Sequence, residues 1–503
     1  MTSVETVHPS TPASLTWRSI DWDKAWREVK RLQIRIAKAE KEGKHGKVKS
    51  LQWILSHSFY AKALAVKRVT SNKGKKTPGI DGVLWKTPQD KMNAVFSLKQ
   101  RGYKAKPLRR IYIPKKNGKK RPLSIPIMYD RAMQALYKLA LTPVAEMTAD
   151  KNSYGFREDR SCADAVAATF NALSKPNSAP WIVLCDITGC YDNISKSWLM
   201  DNIPIEKRIL KQWLNAGYVD KGVKYPSRKG TPQGGIISPC LANMTLDGLE
   251  EAIRKAVPRR SRVNFIRYAD DLIVTGKSKA ILILYVLPAI KAFLNPRGLE
   301  LSEEKTKIVH IKDGFMAARP FTFLGQTFRK HGKKLHITPS KEGVLSLMRK
   351  VGTLIRKSWN APIEKLIKDI NSILRGWAYY HRHVVASKAF NRVDNYVYER
   401  LWKMLKRRHP KKSTHWLYKK YWTAAGKKWI FSVKTKLKNK FKVYSVIRTG
   451  SIGIKRHKKV IAEANPYMPE YRYYFWIRRN VKGAKLLDGL TSKQIRMALA
   501  TRL

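Results

Sequence analysis

Acidic residues are scarce in this 503-residue chain: 36 Asp and Glu stand against 102 Lys and Arg, a formal net charge of +66. A compact chain with that surplus repels itself, so the composition asks for a polyanionic partner whose neutralised phosphates release counterions. Cysteine is rare too. Cys162, Cys185, Cys190 and Cys240 form no Cys-x-x-Cys pair, and none follows residue 240. That pattern speaks for reduced, buried thiols of a cytosolic-type protein, and no zinc is expected. Long apolar runs are missing: the most apolar stretch, Ala280 to Leu294, reads as too short to span a bilayer and contains a proline, so no membrane partner is expected. The start of the chain lacks a basic segment followed by an apolar run, so no signal peptide is read there. What is present is a 43% hydrophobic fraction with 15 Trp, enough for real cores. The length suggests several domains of ~100–200 residues each.

Residues 1–17 are polar with two prolines and read as disordered. Asp21 to Glu42 and Val48 to Val66 read as two amphipathic helices, and Ser71 to Val83 as a Gly/Pro/Lys-rich loop. Tyr103 to Ile113 and Leu123 to Ile127 suggest a strand pair around a basic turn. Arg131 to Thr148 is a strong helix. Trp181 to Asp186 is a short apolar run ending in a carboxylate. Asn264 to Thr275 resembles two strands hinged on the acidic pair Asp270-Asp271, and Phe321 to Phe328 another hairpin. From about residue 340 to Trp422 the pattern is helical and rich in Lys, Arg, Trp and Tyr; a basic, loop-rich tail follows, with a short helix over Leu486 to Leu503.

With acids so few, adjacent ones need a reason. Asp270 and Asp271 repel each other unless a cation removes the penalty, and Asp186 ends a strand of its own. If those strands pair, three carboxylates converge as two-metal phosphoryl transfer requires. A lone Asp-Asp is also what a solvated turn looks like; the surrounding motifs decide. Tyr268-Ala-Asp-Asp271 resembles the Tyr-x-Asp-Asp box of reverse transcriptases. Asp186-Ile-Thr-Gly-Cys-Tyr-Asp-Asn-Ile194 is similar to their first palm motif, and Thr231-Pro-Gln-Gly-Gly-Ile-Ile-Ser-Pro239 to the Pro-Gln-Gly motif between. Gly298-Leu-Glu-Leu-Ser-Glu-Glu-Lys-Thr-Lys307 and Phe323-Leu-Gly325 resemble the last two palm motifs. Arg110-Ile-Tyr-Ile-Pro-Lys115 and Arg121-Pro-Leu-Ser-Ile125 resemble the fingers motifs. Ile370 to His381 and Phe390 to Val397 resemble the maturase or X domain. Order and spacing agree with the reverse transcriptases encoded by bacterial group II introns, over roughly residues 20–420.

The resemblance implies an α+β, right-hand polymerase: residues 18–95 as N-terminal extension and start of the fingers, 96–335 as fingers and palm, 336–422 as α-helical thumb, and 423–503 as a basic DNA-binding region without a nuclease. It implies Asp186, Asp270 and Asp271 as catalytic residues binding two Mg²⁺, with Mn²⁺ as a substitute, with the Ile187 carbonyl added and Asp271 the least direct ligand. Lys115 and Arg121 fall on the incoming triphosphate, Tyr191 under the sugar as a gate against ribonucleotides, and Gln233 beside the nucleotide. Asp192 and Asn193 read as turn and capping residues, and Lys305 as a solvated lysine. Arg109, Arg110, Arg375, Arg382, Lys406, Arg407 and Arg408 are candidate RNA and DNA contacts, interleaved with aromatics in the thumb as RNA binding favours. Trp377 is expected buried, with Arg375 and Arg382 outward.

Expected partners are the group II intron RNA, target DNA, a primer–template duplex and dNTP, with monomer and dimer both open and a bacterial cytoplasmic, nucleoid-associated setting. The leading reading is an RNA-directed DNA polymerase that assists intron splicing and copies the intron during retrohoming. A splicing-only maturase and a domesticated defence or spacer-acquisition reverse transcriptase are the alternatives.

Overall fold

The computed structural model describes residues 16–114, 118, 120–227, 229–312, 320–422, 426, 430–437 and 440–480. Lys115, almost all of the 1–17 segment and the expected helix over 486–503 lie outside the described residues. The architecture is α+β, as expected.

The first helix, Trp22–Lys41, is capped by the Asp21 carboxylate, which accepts from the Asp23 and Lys24 amides. Its apolar face (Ala25, Val29, Ile36) is buried on the long helix Met128–Thr148. Pro143 sits inside that long helix and lacks the N–H that the Leu139 carbonyl would otherwise receive. The Gln33 amide of the first helix donates to that carbonyl at 2.8 Å, so a defect in one helix becomes its tie to another. The second expected helix, Val48 to Val66, is in fact two, His45–His57 and Phe59–Ser71. Ser58 breaks it with extended backbone (ψ 130°); the apolar period runs on across the break, and no Gly or Pro announces it.

In the fingers, strands Leu108–Pro114 and Lys120–Ile125 pair antiparallel, Arg109 opposite Ile125. The first strand starts five residues later than expected. It also pairs in parallel with Tyr218–Asp220, which continues into Val223–Tyr225. The palm sheet has the order Asn264–Tyr268, Asp271–Gly276, Trp181–Asp186, Lys307–His310, all neighbours antiparallel. Its register sets Asp186 directly opposite Asp271. A three-stranded sheet, Phe321–Phe323, Gln326–His331 and Lys334–Pro339, leads to the thumb helices Lys341–Lys357, Ile363–His381, Ser387–Arg408 and Thr414–Tyr421.

The tail is less loose than its composition suggests. It contains the hairpin Ser432–Leu437/Lys440–Ser445 and the helix Arg472–Arg479, and residues 457–478 return to the palm. There the buried Asp164 carboxylate accepts from His457 (2.8 Å), the Val460 amide (2.7 Å) and Arg478 (3.2 Å). Burial opposes ionisation of Asp164, but its hydrogen-bonded, positively charged neighbours hold its pKa down to about 2. Asn465 donates to the Glu146 carbonyl and Tyr467 to Glu158. The apolar stretch near 280–294 also runs further than expected. Among the described residues one helix, Lys279–Arg297, is long and apolar enough to cross a membrane by length and composition alone. Leu282, Val286, Ile290 and Leu294 are fully buried along it.

Candidate active site

The three aspartates come together on the palm sheet, at the ends of the two central strands. Asp186 closes its strand, and Asp270 and Asp271 stand at the turn between Tyr268 and the next strand. Ala269 holds that turn with φ +56°. Asp186 and Asp270 line one cleft of about 520 Å³; Asp186 and Asp271 line a second recess of about 1,040 Å³ on the other side. Asp186 is thus shared, and Asp271 is turned away from the first cleft. Loss of solvation raises the pKa of Asp270, with the Asp186 charge adding to it. Asp271 is exposed as a residue, yet desolvation of its carboxylate, then the Asp270 and Asp186 charges, push it up to about 6. The Lys305 ammonium sits 3.0 Å from both Asp186 oxygens. Lys305 is therefore a partner of the site, not the free surface lysine its sequence context suggested.

Ile187 lines the same cleft as Asp186 and Asp270. It faces Leu301 in an isolated antiparallel bridge whose bonds are made by its neighbours: Thr188 donates to the Glu300 carbonyl and Ser302 to the Asp186 carbonyl. The Ile187 carbonyl therefore points the opposite way, toward the strand carrying Asp271 and the turn beside it. Among the described residues no three His, Cys, Asp or Glu side chains form a ready cage for an ion. Mutually repelling carboxylates, a backbone carbonyl at the cleft and a lysine standing where a cation would go fit a hard divalent cation that completes its shell with water and substrate phosphate.

The cleft around Asp186 and Asp270 is also lined by Ile113 and Arg121 from the fingers strands, Tyr191, Asp192, Gln233 and Lys305. Of the expected nucleotide contacts, Arg121, Tyr191 and Gln233 share this one space. Backbone crowding fixes them. A Cβ on Gly230 would overlap the Tyr191 and Asp192 backbone, and the Thr231 amide donates to the Tyr191 carbonyl at 2.7 Å. Gly234 (φ +117°) lies so close to Ser124 that a Cβ would stand 2.6 Å from its carbonyl oxygen, and the Ser124 amide donates to the Gln233 carbonyl at 2.7 Å. The Gln233 side chain donates to Asp192 at 2.7 Å. Asp192 was expected only to shape the turn; here it aims Gln233. Asn193 does serve the turn, donating to the Thr188 carbonyl at 3.0 Å.

The catalytic hairpin is braced from below. Segment Asn152–Gly155 runs beside the Asn264–Tyr268 strand: the Arg267 amide donates to the Asn152 carbonyl and the Tyr154 amide to the Arg267 carbonyl. Gly155 lies directly against the Ala269 backbone. Asn243 donates to the Gly155 carbonyl at 2.7 Å. Arg267, 1% exposed, pairs with Asp247 and Asp150, and burial pushes Asp247 up to about 7. Nothing in the local pattern of 152–157 marked it as part of the site, because its partners lie about a hundred residues away.

The seven candidate nucleic-acid residues divide. Arg375, Lys406 and Arg407 are exposed, Arg407 lying 4.7 Å over the Trp359 ring. Arg382 is half-buried over Tyr379, and Trp377 is half-buried where full burial was expected. Arg110 lies 3.8 Å over the Tyr218 ring, and Arg109 is half-buried with no partner for its Nε. Arg408 is spoken for: it donates to the Trp359 and Ala361 carbonyls and ties its helix to the turn between the two preceding thumb helices.

Residues 113–328 match the family model described as reverse transcriptase (RNA-dependent DNA polymerase). Residues 17–98 match the N-terminal domain of reverse transcriptase, and 344–422 the group II intron maturase-specific domain. The chain is 30% identical to the group II intron-encoded protein LtrA of Lactococcus lactis, over 53% of this chain and 54% of that protein. It is also 30% identical to protein YkfC of Escherichia coli, over 50% of this chain and 78% of that one. Identity to the COX1/OXI3 intron 1 protein of Saccharomyces cerevisiae is 27%, over 61% and 43% respectively. The chain thus spans about half the length of LtrA.

Proposed function

The chain belongs to the group II intron-encoded reverse transcriptase/maturase family, and from that membership we propose that it is an RNA-directed DNA polymerase that binds its intron RNA, assists splicing and copies the intron by target-primed reverse transcription. The observation that carries this reading is the single cleft shared by Asp186, Asp270, Arg121, Tyr191 and Gln233.

In this reading Asp186, Asp270, Asp271 and the Ile187 carbonyl would hold the divalent ions, with Asp271 the least direct ligand, the ions being taken as two Mg²⁺ with Mn²⁺ able to substitute. Bound there, the ions would acidify the primer 3′-hydroxyl and neutralise the leaving pyrophosphate. Arg121 offers the triphosphate a planar, bidentate fork. Lys115, six residues earlier in the sequence, is assigned the same task. Lys305, paired with Asp186 here, would face the triphosphate once a bound cation took over that carboxylate. Tyr191 underlies the sugar and leaves no room for a 2′-hydroxyl. Gln233, aimed by Asp192, lies against the nascent base pair. The 3′-oxygen forms its bond to the α-phosphorus as the bond from that phosphorus to the pyrophosphate oxygen breaks. Catalysis is then positioning plus charge stabilisation. The basic N-terminal helices and the exposed Arg375, Lys406 and Arg407 supply affinity for intron RNA, and residues beyond 423 are assigned to target DNA.

The test is primer extension on poly(rA)/oligo(dT) with Mg²⁺. The wild-type chain should extend, and Asp270→Ala should abolish extension while leaving RNA affinity within about twofold. Full extension by the variant would sink the assignment.

A further inference from the structure

Phe156 is out of place by every structural criterion. Its backbone is left-handed (φ +57°), a region that bulky residues avoid. Its side chain is 56% exposed. Among the described residues its one aromatic neighbour is Tyr268, 6.5 Å away and tilted by 42°. The ring therefore secures little packing in return for its conformation. The chain on either side does not choose this freely. Gly155 is pressed against Ala269 and held by Asn243 at 2.7 Å. The Arg157 side chain is buried, paired to Glu146 at 2.7 Å and donating to the Asp150 carbonyl at 2.7 Å. Two buried anchors leave Phe156 a single place to go, and that place is the wall of the cleft that holds Asp186, Asp270 and Tyr191. A strained residue that the surroundings over-determine, at a reaction centre, marks function.

We propose that Phe156 is a specificity-determining contact for nucleic acid: its ring packs against the base pair at the primer terminus. An apolar aromatic face can hold any base, because every base presents a π-face. It rejects a mismatched terminus through shape, since a displaced pair cannot lie flat against a ring whose backbone is anchored on both sides. The inference rests on the polymerase reading above.

The experiment compares Phe156→Ala, Phe156→Gly and Phe156→Trp with the wild-type chain. Three quantities are read: melting temperature, affinity for a primer–template duplex at salt high enough to suppress phosphate contacts, and the ratio of extension from matched and mismatched 3′ ends. Phe156→Gly should melt at or above the wild-type temperature, since glycine relieves the left-handed backbone. Phe156→Ala and Phe156→Gly should lose about tenfold in high-salt duplex affinity and about tenfold in mismatch discrimination, the scale of one lost base–aromatic contact. Phe156→Trp should restore both. Unchanged affinity and discrimination overturn the proposal. So does a fall in melting temperature that tracks the lost affinity, because the ring would then be structural. A wild-type chain that binds duplex but extends no primer overturns the polymerase reading instead, and the high-salt affinities still decide on Phe156.

Discussion

Gly155→Ala puts one methyl group under the catalytic hairpin. The added Cβ would overlap the Ala269 nitrogen, and lie 3.0 Å from the Tyr268 carbonyl carbon and 3.2 Å from the Ala269 Cα. Ordinary contacts begin near 3.4 Å, and all three atoms are backbone, so no side chain can swing aside. Segment 152–155 cannot retreat either: two backbone hydrogen bonds to Arg267 and one from Asn243 hold it. The hairpin must recede by on the order of 1 Å, carrying Asp270 with it. A displacement of that size costs ~100-fold in rate, or ~2.7 kcal/mol of barrier. Overpacking should also lower stability by ~1–3 kcal/mol. Single-turnover primer extension, run beside thermal melting and RNA binding, separates these effects. Extension about a hundredfold slower in a folded, RNA-binding variant is the expected result. A Gly155→Ala protein that extends at more than about a third of the wild-type rate would refute the argument.

Tyr191→Ala should raise ribonucleotide incorporation about tenfold relative to deoxyribonucleotide, read as the ratio of kcat/KM values; an unchanged ratio removes Tyr191 as the gate. Stability should fall on acidification through His381. This residue is 3% exposed and bonded to Gln326, and burial, with His383 adding, lowers its pKa to about 4. The unfolded chain takes up a proton near pH 6.5 and the folded one only near 4. The stabilising difference is therefore complete above 6.5 and is lost as pH falls toward 4, at ~1.4 kcal/mol per unit. Melting curves of wild-type and His381→Gln proteins from pH 7.5 to 4.5 should converge; parallel curves would rule the residue out.

The sequence made the chemistry legible earlier than the architecture. Strand-ending Asp186, the turn at Asp270-Asp271 and the Pro-Gln-Gly segment are local patterns, and the structure brings all of them to one cleft. The break at Ser58 escaped because it interrupts the helix without interrupting the apolar period. The roles of Asp192, Lys305, Gly155 and Phe156 escaped for a different reason. Each depends on a partner between 41 and 119 residues away, as with Asp192 to Gln233 and Lys305 to Asp186, and no window of sequence contains both. Arg408 shows the converse: its type and its neighbours suggest a free cationic patch, but two carbonyls of the turn between two other thumb helices already use it.

The returning tail changes the mechanics of the thumb. A thumb reached by one chain crossing can tilt and twist about a single pivot. This one is fastened at both ends: where the strand Lys334–Pro339 enters the helix Lys341–Lys357, and where the chain leaves Thr449, held by Asp394, to reach Asp164 through His457. Between them the helix Ile363–His381 is stitched to the same three-stranded sheet by His381 to Gln326 and Tyr380 to the Leu324 carbonyl. Ties spread along the base of the helices resist free twisting, so the thumb carries its load as a clamped beam does and not as a lever on one pin.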